Sequence, residues 1–414
     1  MDEITVHKFG GSCLREGKDI DRIGEIINNH QGRILVVVSA LWGMTDRLKR
    51  ASNEPRYASR LVQDLIYQHL RFAPGLDNGP FAELFQKVIT GISNELLNYT
   101  SGEKSLNSEN LILAAGERLS ALAVAHRLRQ NGFEGAHPVG AEDIGLRLKG
   151  VGRAKEIDII SSKQQLDIES LVGIPILTGW FGEGDDGNIA LLTRGGSDHS
   201  AAAFANLTNA SKLILWKDID GIKRLNPRWG INTPTIPYLG YGQAAELSMH
   251  GTPIIHPATV LPLVSEGIPI EIKNFHDPEG IISTTIGPDL DNETIVAIGC
   301  QPGVAVITDD KPLSSDLLAE IEYHGITPWL MNSTPEEMKI IMPLHDLHLI
   351  ESKISGKIVH KTAIISVIGK SHIPIEHELV SRNEYGTRLI VQTNKLQETI
   401  SELYHSLFSL QDCK

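Results

Sequence analysis

The sequence has no excess of basic residues, and this absence limits the partners it can bind. Lys and Arg total 38 against 51 for Asp and Glu, so the formal net charge of the 414 residues is −13. A nucleic-acid binder needs a basic face to meet phosphates, so this balance argues against that class. Because the overall field repels anions, local cations must attract any anionic substrate.

Long apolar runs and cysteines are also scarce. The longest apolar run, ILVVVSALW at residues 34–42, is too short to cross a bilayer, and the acidic start at residues 1–3 predicts no signal peptide. Cys13, Cys300 and Cys413 are too few and too scattered for a disulfide framework or a cysteine-rich metal site. The sixteen histidines show no metal-ligand spacing. We therefore expect a protein of the reducing cytoplasm and assign no metal ligand.

Alternating apolar strands and helices fill residues 1–287. An amphipathic helix is predicted at 109–132, ending near Gly132. A strand buried on both faces is predicted at 33–41, and further strands are predicted at 174–180, 211–221 and 268–274. Strands that alternate with helices indicate an α/β sandwich around a mostly parallel sheet.

Two further segments of this half have their own character. Residues 50–108 are predicted to be mainly helical, as an insertion above one end of the sheet. EGDDGN at 183–188 is typical of a turn that closes a β-hairpin.

The pattern changes near residue 290, and the length allows two or three domains. Residues 293–414 contain short strands, among them TIVAIG, VAVIT, ITPWLM and MKIIMP, with helices predicted near 313–324 and 394–409. Two small βαββαβ modules fit this pattern.

The first motif is ITVHKFGGSC at residues 4–13, a strand that leads into Lys8, Gly10, Gly11 and Ser12. Glycines let the backbone approach a phosphate closely. No Gly-Lys-Ser/Thr closes this loop, so it is not a P-loop. The motif therefore predicts a different use for Lys8.

The second motif is TRGGSDHS at residues 193–200, where a strand leads into an Ala-rich helix. The free amides of a helix N-terminus favour anions, and the guanidinium of Arg194 suits a carboxylate. Ser197 or Asp198 capping the helix is an equally ordinary explanation. His199 is either a nucleotide contact or an exposed residue of the first turn.

Other charged positions also leave two interpretations open. Glu117 and Arg118, in GERLSA, form either part of a site or a solvated turn of their helix. Asp218, in WKDIDG, follows a strand, where ligands of open α/β sheets bind, but Asp-Gly also builds simple turns. His256-Pro257 predicts a helix start with Pro at the first position. Cys13 is interpreted as a small loop residue.

Taken in order, these motifs and the segment AAELSMHGTPIIHPATVLPLVSEGIPIEIKNFHDPEG at 244–280 resemble the aspartokinases, in the amino acid kinase superfamily. The resemblance covers residues 4–287, and the C-terminal part resembles the paired ACT regulatory modules of that family. It implies a three-layer αβα sandwich, the amino acid kinase fold, at 1–287. An α+β region of divergent tandem ACT-like, ferredoxin-like modules would follow at 293–414.

The resemblance also implies roles for individual residues. Lys8 would contact the transferring phosphoryl group, and Asp198 would organise Lys8 and the metal-phosphate region. The residues expected to bind substrate are Ser39, Glu117, Arg194 and Ser197. Those expected at the nucleotide are Gly10, Gly11, Ser12, Gly195, Gly196, Lys217, Asp218 and Lys223.

The implied reaction is the ATP- and Mg²⁺-dependent phosphorylation of L-aspartate to 4-phospho-L-aspartate, which opens the aspartate-family pathway to lysine and threonine. The side-chain carboxylate is already ionised at pH 7, so no general base is required. The family also implies a homodimer or a larger homo-oligomer and an amino acid effector at the ACT-like region.

The nucleotide side departs from the family pattern. Lys217 and Lys223 stand where the family usually has Thr and Tyr, and Asn226 replaces an acid. Pro253 replaces a lysine expected to reach the ATP phosphates, so we hypothesise that Lys217 or Lys223 supplies that cation. These departures keep two alternatives open. One is a side-pathway kinase for another carboxylate or nucleotide. The other is a degenerate kinase that serves as a regulatory subunit, against which Lys8 and Asp198 argue.

Overall fold

The computed structural model describes residues 3–101, 105–193, 195–249, 255–291, 294–324, 326, 328–369 and 378–408. The chain divides into two compact units. The first comprises Met1–Ile222, Pro237–Tyr241 and Ile255–Pro288, and the second comprises Lys223–Ile236, Gly242–Ile254 and Asp289–Lys414. The expected domain boundary between residues 287 and 293 stays a prediction. Among the described helices, none combines the length and apolar composition that a bilayer span requires.

Strands and helices alternate before Asp289. The strands are β1 (Ile4–Phe9), β2 (Arg33–Val38), β3 (Ala136–Val139), β4 (Leu148–Lys149), β5 (Arg153–Ala154), β6 (Glu156–Ile157), β7 (Ile174–Thr178), β8 (Phe181–Glu183), β9 (Ile189–Leu192), β10 (Lys212–Lys217), β11 (Tyr238–Gly240), β12 (Ile270–Asn274) and β13 (Thr284–Gly287). The helices are α1 (Gly17–Asn28), α2 (Met44–Asn53), α3 (Pro55–Phe72), α4 (Ala82–Thr100), α5 (Leu106–Gln130), α6 (Ile159–Gln165), α7 (Gly196–Leu207), α8 (Tyr241–Met249) and α9 (Pro257–Val264).

The centre of the first unit is a mostly parallel sheet, as the sequence predicts. The described strands follow the order β11-β13-β12-β10-β1-β2-β7-β3, and β1 pairs in parallel with both β2 and β10. Helices α1 and α5 pack on the face that carries Phe9, whereas α7 contacts β1 and β10. Buried apolar strands with helices on both faces form the expected three-layer αβα sandwich.

The helical content predicted for residues 50–108 and the predicted hairpin are confirmed, whereas the placement of the helices as an insertion above one end of the sheet stays a prediction. Helices α2, α3 and α4 occupy most of residues 44–100, and β8 and β9 pair antiparallel around the turn at 184–188. Pro257 opens α9, and the backbone amide of Ala258 donates to Nδ1 of His256.

The second unit has the expected α+β character. From Asp289 onward its strands are β14 (Ala297–Asp309), β15 (Leu330–Ser333), β16 (Met338–Pro343), β17 (Lys357–Ile368), β18 (Glu378–Arg382) and β19 (Gly386–Gln392). Its helices are α10 (Ser315–Tyr323), α11 (Leu347–Ile350) and α12 (Leu396–Phe408), and α10 and α12 match the two predicted helices.

One expectation about this unit is wrong. VAVIT and the last three residues of TIVAIG, expected as separate strands, belong to the single strand β14, which pairs with both β16 and β17. The register shifts between Pro302 and Val304, and Gly303 has a φ of 72°. Pro302 and Gly303 thus form a bulge within the strand instead of ending it.

Candidate active site

A cavity of about 500 Å³ opens beside the carboxyl ends of β1 and β2 and the first turn of α7. Ligands of open α/β sheets bind at such strand ends. The predicted site residues that line it are Lys8, Gly11, Ser39, Glu117, Gly195, Gly196, Ser197 and Asp198. Motifs that lie up to 190 positions apart in the sequence therefore meet in one cavity.

Lys8 and Asp198 form a buried ion pair at this cavity. Lys8 lies on β1 and Asp198 in the first turn of α7, and Nζ is 2.5 Å from Oδ1. Both side chains are less than a tenth exposed. Burial alone would raise the pKa of Asp198, but the ammonium groups of Lys217 and Lys8 outweigh it and hold the pKa below its ordinary value. Asp198 is therefore a carboxylate, and the cavity wall carries an ammonium group.

The nucleotide-side lysines have different surroundings. Nζ of Lys217, at the end of β10, lies 2.7 Å from Oδ2 of Asp198. Lys223 belongs to the second unit, where its ammonium donates to Oγ1 of Thr235. Pro253, the position of the lysine expected from the family, lies outside the described residues.

Asp218 and the glycine loop lie at the edges of the site. Asp218 is half exposed and pairs with Arg15 at 3.2 Å, and the Arg15 guanidinium stacks 4.5 Å from the ring of Trp42 at the cavity. Of the described loop residues, Gly11 lines the cavity, whereas Gly10 and Ser12 do not. A Cβ on Gly10 would lie 3.3 Å from Nζ of Lys8. Glycine there leaves the ammonium room to move.

Cys13 lies within this loop and is buried. Its Sγ donates to the carbonyl of Trp216, and burial raises the pKa of the thiol to about 11. A protonated, buried thiol is a poor nucleophile, which agrees with its interpretation as a small loop residue.

Glu117 is buried, so the interpretation of GERLSA as a solvated turn is wrong for this residue. Its side chain extends from α5, where neighbouring helix residues pack into the core and exclude water. Ser197 Oγ donates to Oε1 at 3.2 Å, but within the described residues Oε2 is buried without a hydrogen-bond partner. Burial raises the pKa of Glu117 to about 8, although the ammonium of Lys8 and the hydroxyl of Ser197 oppose the rise. Such a carboxylate is well suited to receive a cationic group.

The start of α7 corrects two other interpretations. The N-cap is Gly195, with a φ of 76° and no side-chain cap, so neither Ser197 nor Asp198 caps the helix. His199 is buried, not exposed, because α7 packs against the sheet and α9. A Cβ on Gly195 would lie 2.5 Å from Cβ of His256, so only glycine fits. Arg194 lies outside the described residues.

Several lining residues escaped the sequence analysis. Trp42, Thr45 and Asp46 follow β2, Trp180 follows β7, and Arg153 pairs with Glu109. Trp180 has a φ of 71°, and its Nε1 donates to the carbonyl of Leu192. The rule that ligands bind at strand ends pointed to residues 42–46 and 180, but no motif marked them.

The site offers few ligands for a metal of its own. Among the described residues, no three His, Cys, Asp or Glu side chains gather to hold an ion. Asp198 is already paired with two lysines.

Three comparisons relate this chain to known proteins. Aspartokinase 3 of Bacillus subtilis is 27% identical over 359 residues, which cover 82% of this chain and 78% of that protein. The chloroplastic bifunctional aspartokinase/homoserine dehydrogenase 2 of Arabidopsis thaliana is 30% identical over 284 residues, 66% of this chain. The matched region is 31% of that plant protein, so this chain spans less than a third of its length.

A solved structure shows the same fold. The crystal structure of E. coli aspartokinase III in complex with aspartate and ADP matches with a TM-score of 0.81 and 20% identity, covering 98% of this chain and 100% of that chain. The model of the amino acid kinase family matches residues 3–274, which include Lys8, Glu117 and Asp198. This chain therefore belongs to the amino acid kinase family.

Proposed function

We propose that this protein transfers the γ-phosphoryl group of ATP to the side-chain carboxylate of L-aspartate, giving 4-phospho-L-aspartate and ADP. The observation that carries the proposal is the cavity in which a buried Lys8–Asp198 pair meets the buried carboxylate of Glu117. The similarity to aspartokinases over most of the chain supports the choice of aspartate. The product is an acyl phosphate, so we also propose that it enters the aspartate-family pathway.

Phosphoryl transfer depends mainly on positioning and on neutralising charge. An oxygen of the substrate carboxylate attacks the γ-phosphorus, the bond from phosphorus to the ADP oxygen breaks, and the electron pair leaves with ADP. Lys8 offsets the negative charge on the phosphoryl oxygens, and Asp198 holds its ammonium in place. The attacking carboxylate is ionised at pH 7, so no group has to remove a proton.

Glu117 provides the site for the substrate ammonium. Its unpartnered Oε2 is buried at the cavity wall, and a bound ammonium would stabilise the charged form that burial disfavours. Ser197 holds the other oxygen, and Ser39 lines the same wall. Arg194 is proposed to bind a substrate carboxylate, from the family resemblance alone.

The nucleotide proposal depends on backbone more than on charged side chains. Gly11, Gly195 and Gly196 line the cavity and let phosphates approach the chain closely. Mg²⁺ would supply further charge neutralisation and would be held mainly by the phosphates. Asp218 directly follows the carboxyl end of β10, and we propose that it lies beside the nucleotide.

A substrate panel tests this proposal. ADP release is measured with Mg²⁺-ATP and, in turn, L-aspartate, L-glutamate, L-asparagine and succinate. Turnover only with L-aspartate is expected, because glutamate is one methylene longer, asparagine lacks the nucleophile and succinate lacks the ammonium for Glu117. Faster turnover with another acid or another nucleoside triphosphate would replace aspartate or ATP. Aspartate binding without turnover would favour the regulatory-subunit alternative.

We also propose a cytoplasmic location and self-association. The described cysteines, Cys13 and Cys300, are buried and free, which suits a reducing compartment. The six-stranded sheet of the second unit has β15 at one edge, and most of its side chains are exposed. An exposed edge strand is a ready surface for pairing with a second copy. The binding of an amino acid effector at 293–414 remains a prediction from the family. Equilibrium dialysis with lysine and with threonine tests it.

A further inference from the structure

Strand register places a second lysine on the same face of the sheet as Lys8. Lys8 of β1 lies directly opposite Leu215 of β10. Alternate residues of a strand face the same side, so Lys217, two positions after Leu215, shares that face. Helix α7 covers this face and brings Asp198 between the two lysines.

The three side chains form a compact, ordered cluster. Lys8 Nζ lies 2.5 Å from Oδ1 of Asp198, and Lys217 Nζ lies 2.7 Å from Oδ2. Each ammonium takes one oxygen, so the carboxylate fixes both. Lys8 and Asp198 line the cavity, whereas Lys217 is not one of the described residues that line it. Among the described residues, Lys217 therefore contacts the cavity wall through Asp198.

The charges of the cluster explain what a second lysine adds. A Lys–Asp pair has no net charge to offer an anionic phosphoryl group. With Lys217 the cluster carries one net positive charge, and it lies in buried surroundings where electrostatic interactions are stronger than in water. The second ammonium also weakens the hold of Asp198 on Lys8, because the carboxylate divides its attraction between two cations.

We infer that Lys217 is a positioning residue that balances the charge of Asp198, so that the Lys8 ammonium is available to the transferring phosphoryl group. This inference rests on the proposed function and specifies how its phosphate side works. It differs from a direct contact between Lys217 and the nucleotide, which would act mainly on ATP binding.

Steady-state kinetics of three variants separate these two roles. Lys217→Met is expected to lower kcat about tenfold or more, with KM for aspartate and for ATP changed less than about threefold. Lys217→Arg, which keeps the charge, should recover most of kcat. The matched control is Lys212→Met, which removes a lysine at the other end of β10 that pairs with Glu271 at 2.9 Å. Its kcat should equal that of the wild type.

A double-mutant cycle then tests whether Lys217 acts through Asp198. Adding Lys217→Met to Asp198→Asn should cost no further kcat, because no carboxylate charge is left to balance. A full additional loss, or a rise in ATP KM with kcat unchanged, would assign Lys217 to the nucleotide and overturn the inference.

Thermal unfolding of the four proteins of this cycle provides a readout that does not need turnover. They are the wild type, Lys217→Met, Asp198→Asn and the double variant. The effects of Lys217→Met and Asp198→Asn on Tm should be strongly non-additive. Additive effects would overturn the pairing itself. A wild-type protein without acyl-phosphate formation would overturn the proposed function instead, and this cycle would still decide whether the two residues are coupled.

Discussion

We predict that Glu117 couples aspartate binding to the release of a proton. Burial raises its pKa to about 8, so the side chain is largely protonated at pH 7 in the free protein. If the ammonium of aspartate binds there, it stabilises the carboxylate, and the proton must leave. The affinity for aspartate should therefore rise with pH up to about 8 and then level off.

Calorimetric titration at pH 7 in two buffers of different ionisation enthalpy measures this release. We expect the observed heats to differ by an amount that corresponds to most of one proton. Glu117→Gln preserves the shape of the side chain but should bind aspartate about tenfold or more weakly, with no proton release. Equal heats in both buffers for the wild-type protein would exclude the role assigned to Glu117.

Sequence motifs indicated which charged residues lie together, but they did not indicate which residues are buried. Lys8 and Asp198 belong to local motifs, and they meet in the structure. The burial of Glu117 and His199 depends on how α5 and α7 pack against distant elements, which no local pattern contains. Trp180 reaches the cavity through an unusual backbone conformation, and Arg153 lines it while paired with Glu109. Both depend on the folded chain and not on a local motif.

At the scale of elements, the start of α7 depends on a glycine that no other residue can replace. Gly195 has a φ of 76°, and a Cβ there would lie 2.5 Å from Cβ of His256. Gly195→Ala should lower stability by more than about 1 kcal/mol, because steric overlap adds to backbone strain. It should also reduce turnover, since it displaces Ser197 and Asp198. Denaturant unfolding and ADP release measure the two effects.

Gly187→Ala is the matched control for this prediction. Gly187 has the same φ of 76°, but a Cβ there would meet only Glu183 Oε1 at 3.7 Å. It should show the backbone cost of about 1 kcal/mol and normal turnover. Equal losses of stability and activity in both variants would mean that the contact with His256 has no effect.

Elements were predicted best where apolar patterns are strong. Strand β2, helix α5 and the β8–β9 hairpin follow directly from their sequences. The N-cap of α7 was missed because Ser and Asp are common caps, whereas here the chain turns at a glycine in the left-handed conformation. Strand β14 was divided because Pro302 and Gly303 usually end strands, and pairing on both sides carries β14 past them.

At the scale of the whole molecule, the second unit contains a buried ion pair that joins two distant parts of the sequence. It links Glu246 of α8, which belongs to this unit, to the sheet of the same unit. Arg388 of β19 donates from two nitrogens to the two oxygens of Glu246, each at 2.6 Å, and the Glu246 side chain is 4% exposed. Arg388→Met should cost about 3 kcal/mol of unfolding free energy, because it leaves the carboxylate buried without its arginine.

The control for this prediction is an exposed pair. Lys149 and Glu156 lie 3.3 Å apart, and both are more than half exposed. Lys149→Met should therefore change the unfolding free energy by less than about 1 kcal/mol. Urea unfolding of both variants measures the difference. A cost for Arg388→Met as small as that expected for Lys149→Met would show that Arg388 adds little to the stability of this unit.

Trapping of the acyl phosphate tests the central claim most directly. The purified protein is incubated with Mg²⁺-ATP, L-aspartate and hydroxylamine, which converts an acyl phosphate to a coloured hydroxamate. We predict a signal that requires both substrates and is lost in Lys8→Met, because no ammonium then meets the phosphoryl group. No hydroxamate from the wild-type protein, or an undiminished signal from Lys8→Met, would contradict the account.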